Sequence, residues 1–234
     1  MERFERFLRN WVNKINSYNR GCIDVKKIIL DVRLFDKNEQ EDYELKEGSV
    51  GKLTSAKFCF IGDNPGNNER DNGEYFYYEI DEEKRDERCA GSKVKKLVDT
   101  LFDNDVIYFN KCLIHTSRTK ELKVGDVKKT KEYVCDFINH LAENNHDICF
   151  VFFGVSSKFK CIYENLAEIV GKRSIITFHP CSSKYNIEDL SKKLNKGTVF
   201  KVKFENPALF CAERENDDGE DDGELPPPSI VAQV

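Results

Sequence analysis

Several residues with reactive or hydrogen-bonding side chains follow directly on short apolar runs. Asp63 and Asn64 follow Phe58-Cys59-Phe60-Ile61-Gly62, and Asn110 follows Val106-Ile107-Tyr108-Phe109. Gly154 closes the apolar run 148–153, and His179 follows the run 174–178. Asp63 offers a carboxylate, Asn64 and Asn110 offer a donor and an acceptor each, and His179 offers a donor or a proton carrier. Pro65 and Gly66 fix a sharp turn whose backbone amides can face a ligand. Independent polar groups gathered at strand ends are what a catalytic or binding site requires. Asp, Asn, Pro and Gly are also ordinary turn residues, and His before Pro is common in turns, so each group alone also fits a structural role.

These groups need elements to hold them. The runs 58–61, 106–109, 148–153 and 174–178 read as buried strands. Phe4, Phe7, Leu8, Trp11, Val12, Ile15 and Tyr18 recur at helical spacing, with Gly21 as a stop. Helices are expected over 92–102, capped by Ser92, and over 128–144, 156–170 and 187–194, with a last strand over 198–204. Residues 23–34 fit a helix or a strand equally, and the polar stretch 36–55 reads as a loop. Alternating strands and helices predict a three-layer α/β/α fold around a central, mainly parallel four-stranded sheet. In such sheets ligands bind beyond the strands' C-terminal ends.

Length and composition narrow the class. The chain has 234 residues, with 39% hydrophobic and 34% charged. That suits one α/β domain, expected over 1–212. No run approaches the roughly 18–20 apolar residues of a membrane span, and the N-terminus lacks the apolar core of a signal peptide. Nine cysteines without a compact framework point to reduced thiols and a cytoplasmic location. The formal charge of -5 is unevenly spread. Residues 213–224 hold eight acidic side chains and one Arg, a net of -7, so the remainder is about +2. A weakly basic body is compatible with nucleic acid. Residues 213–234 cannot bury a core and are expected to be a disordered acidic tail.

The stretch 57–76 resembles the first motif of the uracil-DNA glycosylase superfamily. The spacing is closest to the family 4 and 5 enzymes, whose pattern is Gly-x-x-Pro-Gly, then Glu, then Gly-x-x-Phe. Those positions are Gly62, Pro65, Gly66, Glu69, Gly73 and Phe76. Three further features resemble that superfamily in the same order. They are Asn110 in Phe109-Asn110-Lys111-Cys112, the apolar strand ending at Gly154, and His179-Pro180-Cys181-Ser182.

The resemblance implies hydrolysis of the bond between a base and deoxyribose, releasing uracil or another deaminated base from DNA. The partner implied is DNA containing such bases, bound by a monomer. Departing uracil becomes an anion and needs donors in a dry pocket. The resemblance assigns His179 to uracil O2, and Asn64 matches the residue that orients the attacking water. Asp63 occupies the acidic position of family 4, so the division of labour between Asp63 and Asn64 stays open. Asn110 suits the N3–H and O4 edge of uracil, and Phe76 would stack on the flipped base. Gly62, Ser182 and Tyr185 complete the expected substrate-binding set.

Two departures accompany the resemblance. Family 4 enzymes carry an iron–sulfur cluster on four cysteines, including an N-terminal Cys-x-x-Cys pair. Here only Cys22, Cys112 and Cys135 are in comparable regions, so no cluster and no other cofactor is expected. Related enzymes also place a wedging Leu about four residues after the His, where this chain has Ser183; Tyr185 is the nearest aromatic substitute. The charged segment 77–89 reads as an inserted loop. The rival readings are a fold relative that binds nucleic acid or a base without cleaving it, and a phosphate-binding α/β protein.

Overall fold

The computed structural model describes residues 1–196 apart from 23–25, 82, 84–85, 103–104, 155 and 168–172. Four strands form a parallel sheet in the order β4-β3-β5-β6. They are β3 (Phe58–Gly62), β4 (Val106–Asn110), β5 (Cys149–Phe153) and β6 (Ser174–Thr177). Strand β3 is buried along its whole length, as a central strand covered on both faces must be.

One face carries α1 (Glu2–Arg20), α5 (Val124–Asn144) and α6 (Lys160–Asn165). Trp11, Phe109 and Phe137 join there, with Phe109 and Phe137 stacked at 4.3 Å. The aromatic stripe of α1 is thus core, with Phe4, Leu8, Trp11, Val12 and Ile15 buried. On the opposite face α4 (Ala90–Val98) packs against α7 (Ile187–Asn195). The three-layer α/β/α arrangement therefore holds. Among the described residues no helix is long and apolar enough to cross a membrane.

Several boundaries differ from expectation. The stretch 36–55 is not a loop. Strands β1 (Phe35–Lys37) and β2 (Tyr43–Leu45) form an antiparallel hairpin, and α2 covers Ser49–Ser55. The apolar signal is sparse because only Phe35, Tyr43 and Leu53 need burial. Buried Asn16 of α1 secures the hairpin by bonding both the N–H and the C=O of Tyr43, each at 2.8 Å. Helix α4 begins earlier than Ser92, with Cys89 as its cap. Ser92 instead donates its hydroxyl to Asp86 O at 3.0 Å. Within the expected helix 156–170 the structure has a 3-10 turn over Ser157–Phe159 followed by α6, and 168–170 lie outside the described residues.

Residues 27–34 form neither a helix nor a named strand. They touch the body through an isolated bridge between Ile28 and Ile114 and a bond from Val32 N to Gly73 O. The expected strand 198–204 and the acidic tail 213–234 lie outside the described residues.

Candidate active site

Sheet register gathers the site. Gly62 pairs with Asn110, Ile61 with Phe152, and Phe153 with Thr177. All four strands run in parallel and end at one edge, so Asp63, Lys111, Gly154 and the segment holding His179 emerge together. A cavity of about 290 Å³ opens there. Of the eight residues expected from sequence, Gly62, Asp63, Asn64, Phe76, Asn110 and His179 line it.

Gly62 is required by close approach. A Cβ there would meet Asn110 Oδ1 at 2.5 Å and the Phe76 ring at 2.8 Å. Its absence leaves room for both the Asn110 carboxamide and the Phe76 ring over the end of β3. Phe76 holds a backbone φ of 51°, a left-handed conformation that is costly for a bulky residue. Its ring is wedged against Tyr108 and Phe153 at 5.9 and 5.6 Å.

Glu69 holds that geometry. Helix α3 (Asn67–Asn72) starts after Gly66, and Glu69 accepts from Gly66 N at 2.7 Å and from Phe76 N at 2.5 Å. One carboxylate thus staples both ends of the loop between Gly66 and Phe76. Burial pushes its pKa up to about 7, against the opposing pull of those two N–H groups. Beneath the loop, buried Asp31 is forked by Arg33, whose Nη2 also reaches Tyr75 O.

Asp63 and Asn64 have separate environments. Asp63 Oδ1 lies 2.6 Å from Lys111 Nζ, and Lys111 is completely buried. The same ammonium donates to Phe153 O at 2.7 Å and Gly154 O at 2.6 Å, with Tyr163 Oη at 3.2 Å. Burial alone would depress the Lys111 pKa; the Asp63 carboxylate and Tyr163 outweigh it and hold it above the ordinary value. Lys111 thereby ties the ends of β3, β4 and β5 to α6. Gly154 accepts this packing at a φ of 74°, where a side chain would press on Asp63 and His179.

Asn64 is nearly buried and uncharged. Its Nδ2 donates to Thr116 Oγ1 at 2.8 Å and to Pro65 O at 3.1 Å, and approaches Ile114 O at 3.5 Å. Its Oδ1 is buried without a protein partner among the described residues, and so is Asn110 Nδ2. Two orphaned polar atoms in residues lining one cavity are the mark of a ligand site, since such groups are otherwise costly. His179 Nδ1 accepts from Cys181 N at 3.2 Å, which leaves the ring proton on Nε2.

Two expected residues stand apart. Ser182 lies outside the cavity lining and donates its N–H to His179 O at 2.8 Å, shaping the turn. Tyr185 packs its ring on Phe153 at 6.1 Å, with its hydroxyl buried and without a partner among the described residues.

Sequence reasoning missed Lys111, Thr116 and the packing role of Gly91, whose Cβ would strike Tyr77 O at 1.9 Å. The signal for Lys111 was present: a lysine leading into the apolar Cys112-Leu113-Ile114 needs a buried counter-charge, and Asp63 ends the neighbouring strand. His115 is buried, with Nε2 3.0 Å from Asn67 Oδ1. Burial lowers its pKa and favours the neutral ring.

Cys112 is buried and accepts from Thr130 Oγ1 at 3.4 Å, and Cys135 is buried on α5. Among the described residues no three His, Cys, Asp or Glu side chains converge as metal ligands. The chain matches no protein-family model and no curated protein.

Proposed function

We propose that this chain is a monofunctional DNA N-glycosylase of the uracil-DNA glycosylase type, which hydrolyses the bond joining uracil or another deaminated base to deoxyribose. The observation that carries the reading is the pairing of two orphaned groups, Asn110 Nδ2 and Asn64 Oδ1, in residues that share one cavity with His179 and Phe76. The cavity sits near the lower end of the roughly 300–1,000 Å³ of small-molecule pockets, which suits a single base.

In this reading a flipped uracil lies on the Phe76 ring. Asn110 Nδ2 donates to O4, and its Oδ1 accepts the N3–H. His179 donates from Nε2 to O2, where negative charge grows as the C1′–N1 bond breaks and its electron pair passes to N1. Asn64 Oδ1 accepts a hydrogen bond from the water whose oxygen then bonds to C1′. The surplus proton leaves to solvent. Asp63 is held in its ion pair with Lys111, so it positions the loop and balances charge rather than taking a proton. Cytosine would set donor against donor at Asn110, at a cost of about 1–3 kcal/mol per unpaired group.

DNA bearing deaminated bases is the proposed partner, met by a monomer in the cytoplasm. All eight described cysteines are free, in keeping with a reducing compartment. A second reading, a protein that binds a base without excising it, is favoured by Tyr185. That ring packs on the core and is not among the cavity residues, so it does not supply a wedge for the stack. Mass spectrometry of small molecules released from uracil-containing DNA separates the two. Free uracil is the expected product, and tight binding without release establishes the second reading.

A further inference from the structure

The Asn64 carboxamide is held in one orientation by a residue of the next strand-end loop. Its amide head sits among acceptors: Thr116 Oγ1 at 2.8 Å, Pro65 O at 3.1 Å and Ile114 O at 3.5 Å. A carbonyl cannot accept from the amide oxygen, so Nδ2 must face these groups and Oδ1 must face away. The shortest of the three contacts is to Thr116. That hydroxyl has one proton, and it donates it to Arg118 O at 2.9 Å. Thr116 Oγ1 is therefore left as an acceptor toward Asn64. A bond from Thr116 N to Pro65 O at 3.2 Å fixes the two loops to each other.

We propose that Thr116 is a positioning residue for Asn64: its hydroxyl, committed as a donor elsewhere, holds the Asn64 amide so that Oδ1 is the acceptor for the attacking water. This rests on the glycosylase reading given above. Thr116 touches neither base nor water in this account and acts only through Asn64. Without the hydroxyl, Nδ2 keeps only a long contact to Ile114 O and one to the adjacent Pro65, and the amide can swing.

The test is a single-turnover excision series on a uracil-containing oligonucleotide, with DNA affinity measured in parallel. Misplacing a reactant by about 1 Å can cost on the order of 100-fold in rate. Thr116→Val, close in shape, should slow excision about 10- to 100-fold and leave affinity for the same DNA unchanged. Thr116→Ser, which keeps the hydroxyl, should stay within about threefold of wild type. In an Asn64→Ala background, Thr116→Val should have no further effect. Equal slowing in that background, or a Ser variant as slow as the Val variant, overturns the proposal.

A wild-type protein inert on every deaminated base sinks the glycosylase reading instead. The hold on Asn64 is then judged by NMR of the Asn64 side-chain amide. Its signals should move in Thr116→Val and stay in place in Thr116→Ser. Signals unmoved in both remove Thr116 from any positioning role.

Discussion

Lys111 is the buried charge on which the sheet edge depends, and replacing it gives a sharp stability prediction. Lys111→Met keeps an unbranched apolar stem of similar length beside Phe159, whose ring centroid is 4.6 Å from Nζ. The change therefore removes charge with little loss of packing. It strands the Asp63 carboxylate, only 11% exposed, without its counter-ion. Gly154 O keeps a bond from Tyr163 Oη at 3.1 Å, so the loss falls mainly on Asp63 and Phe153 O. Breaking a buried pair by removing one partner costs about 3–5 kcal/mol. For a chain of this size each kcal/mol moves Tm by roughly 2–4 °C, so the drop should be about 6–20 °C. Thermal unfolding followed by circular dichroism reads the Tm drop, and urea unfolding reads the free-energy loss. Lys111→Met combined with Asp63→Asn removes both charges and should recover more than half of the loss. A single variant losing less than about 1 kcal/mol, or a double variant as unstable as the sum of the two singles, would refute the claim that the pair is a buried, coupled ion pair.

Three other perturbations test the site. Glu69 has a folded pKa raised from 4.5 to about 7, so the native state holds its proton more tightly than the unfolded chain. Its contribution to stability is complete below about pH 4.5 and is lost as pH rises through about 7. Urea midpoints of wild type should therefore fall between pH 5 and 8 by more than those of Glu69→Gln, and parallel profiles would remove Glu69 as the cause. Gly62→Ala should lower stability by about 1–3 kcal/mol through overpacking and abolish the approach of Phe76 to Asn110, visible as a lowered Tm and weakened base binding. Asn110→Asp turns the orphaned donor into an acceptor. It should relax base choice toward cytosine in a competition between uracil- and cytosine-containing DNA, and an unchanged preference would detach Asn110 from base reading.

Much of this site was legible in the chain because strand ends are marked by abrupt changes of composition. Apolar runs ending in Gly62-Asp63-Asn64, Asn110 and His179 fix both the sheet and the edge at which its polar groups meet. The parallel register then does the gathering, and that register follows from burying β3 between two neighbours. The parts that were illegible depend on long-range pairing. The ion pair of Lys111 with Asp63 joins residues 48 positions apart by number (111 − 63): the apolar Cys112-Leu113-Ile114 after Lys111 calls for a buried counter-charge, and only the parallel pairing of β3 with β4 brings Asp63 to it. The bond from Asn64 to Thr116 crosses a similar gap. The hairpin over 35–45 escaped notice because its strands are three residues each and are anchored by one buried Asn16 rather than by alternating apolar residues. Tyr185 suggested a wedge by its distance from His179, whereas the turn after Ser182 folds its ring onto Phe153.

In the proposed reaction His179 and Asn64 are the working groups with which the cavity hydrolyses the base–sugar bond. The direct measurement is a single-turnover incubation with a uracil-containing oligonucleotide, split into aliquots with and without alkali before electrophoresis. Wild type should give strand breaks only after alkali, because a water nucleophile leaves an intact abasic site. His179→Ala should slow the reaction about 100- to 1000-fold, the usual cost of losing one oxyanion donor, and Asn64→Ala at least about tenfold. Breaks that form without alkali, no breaks with any deaminated base, or folded His179→Ala and Asn64→Ala variants as fast as wild type would contradict the account.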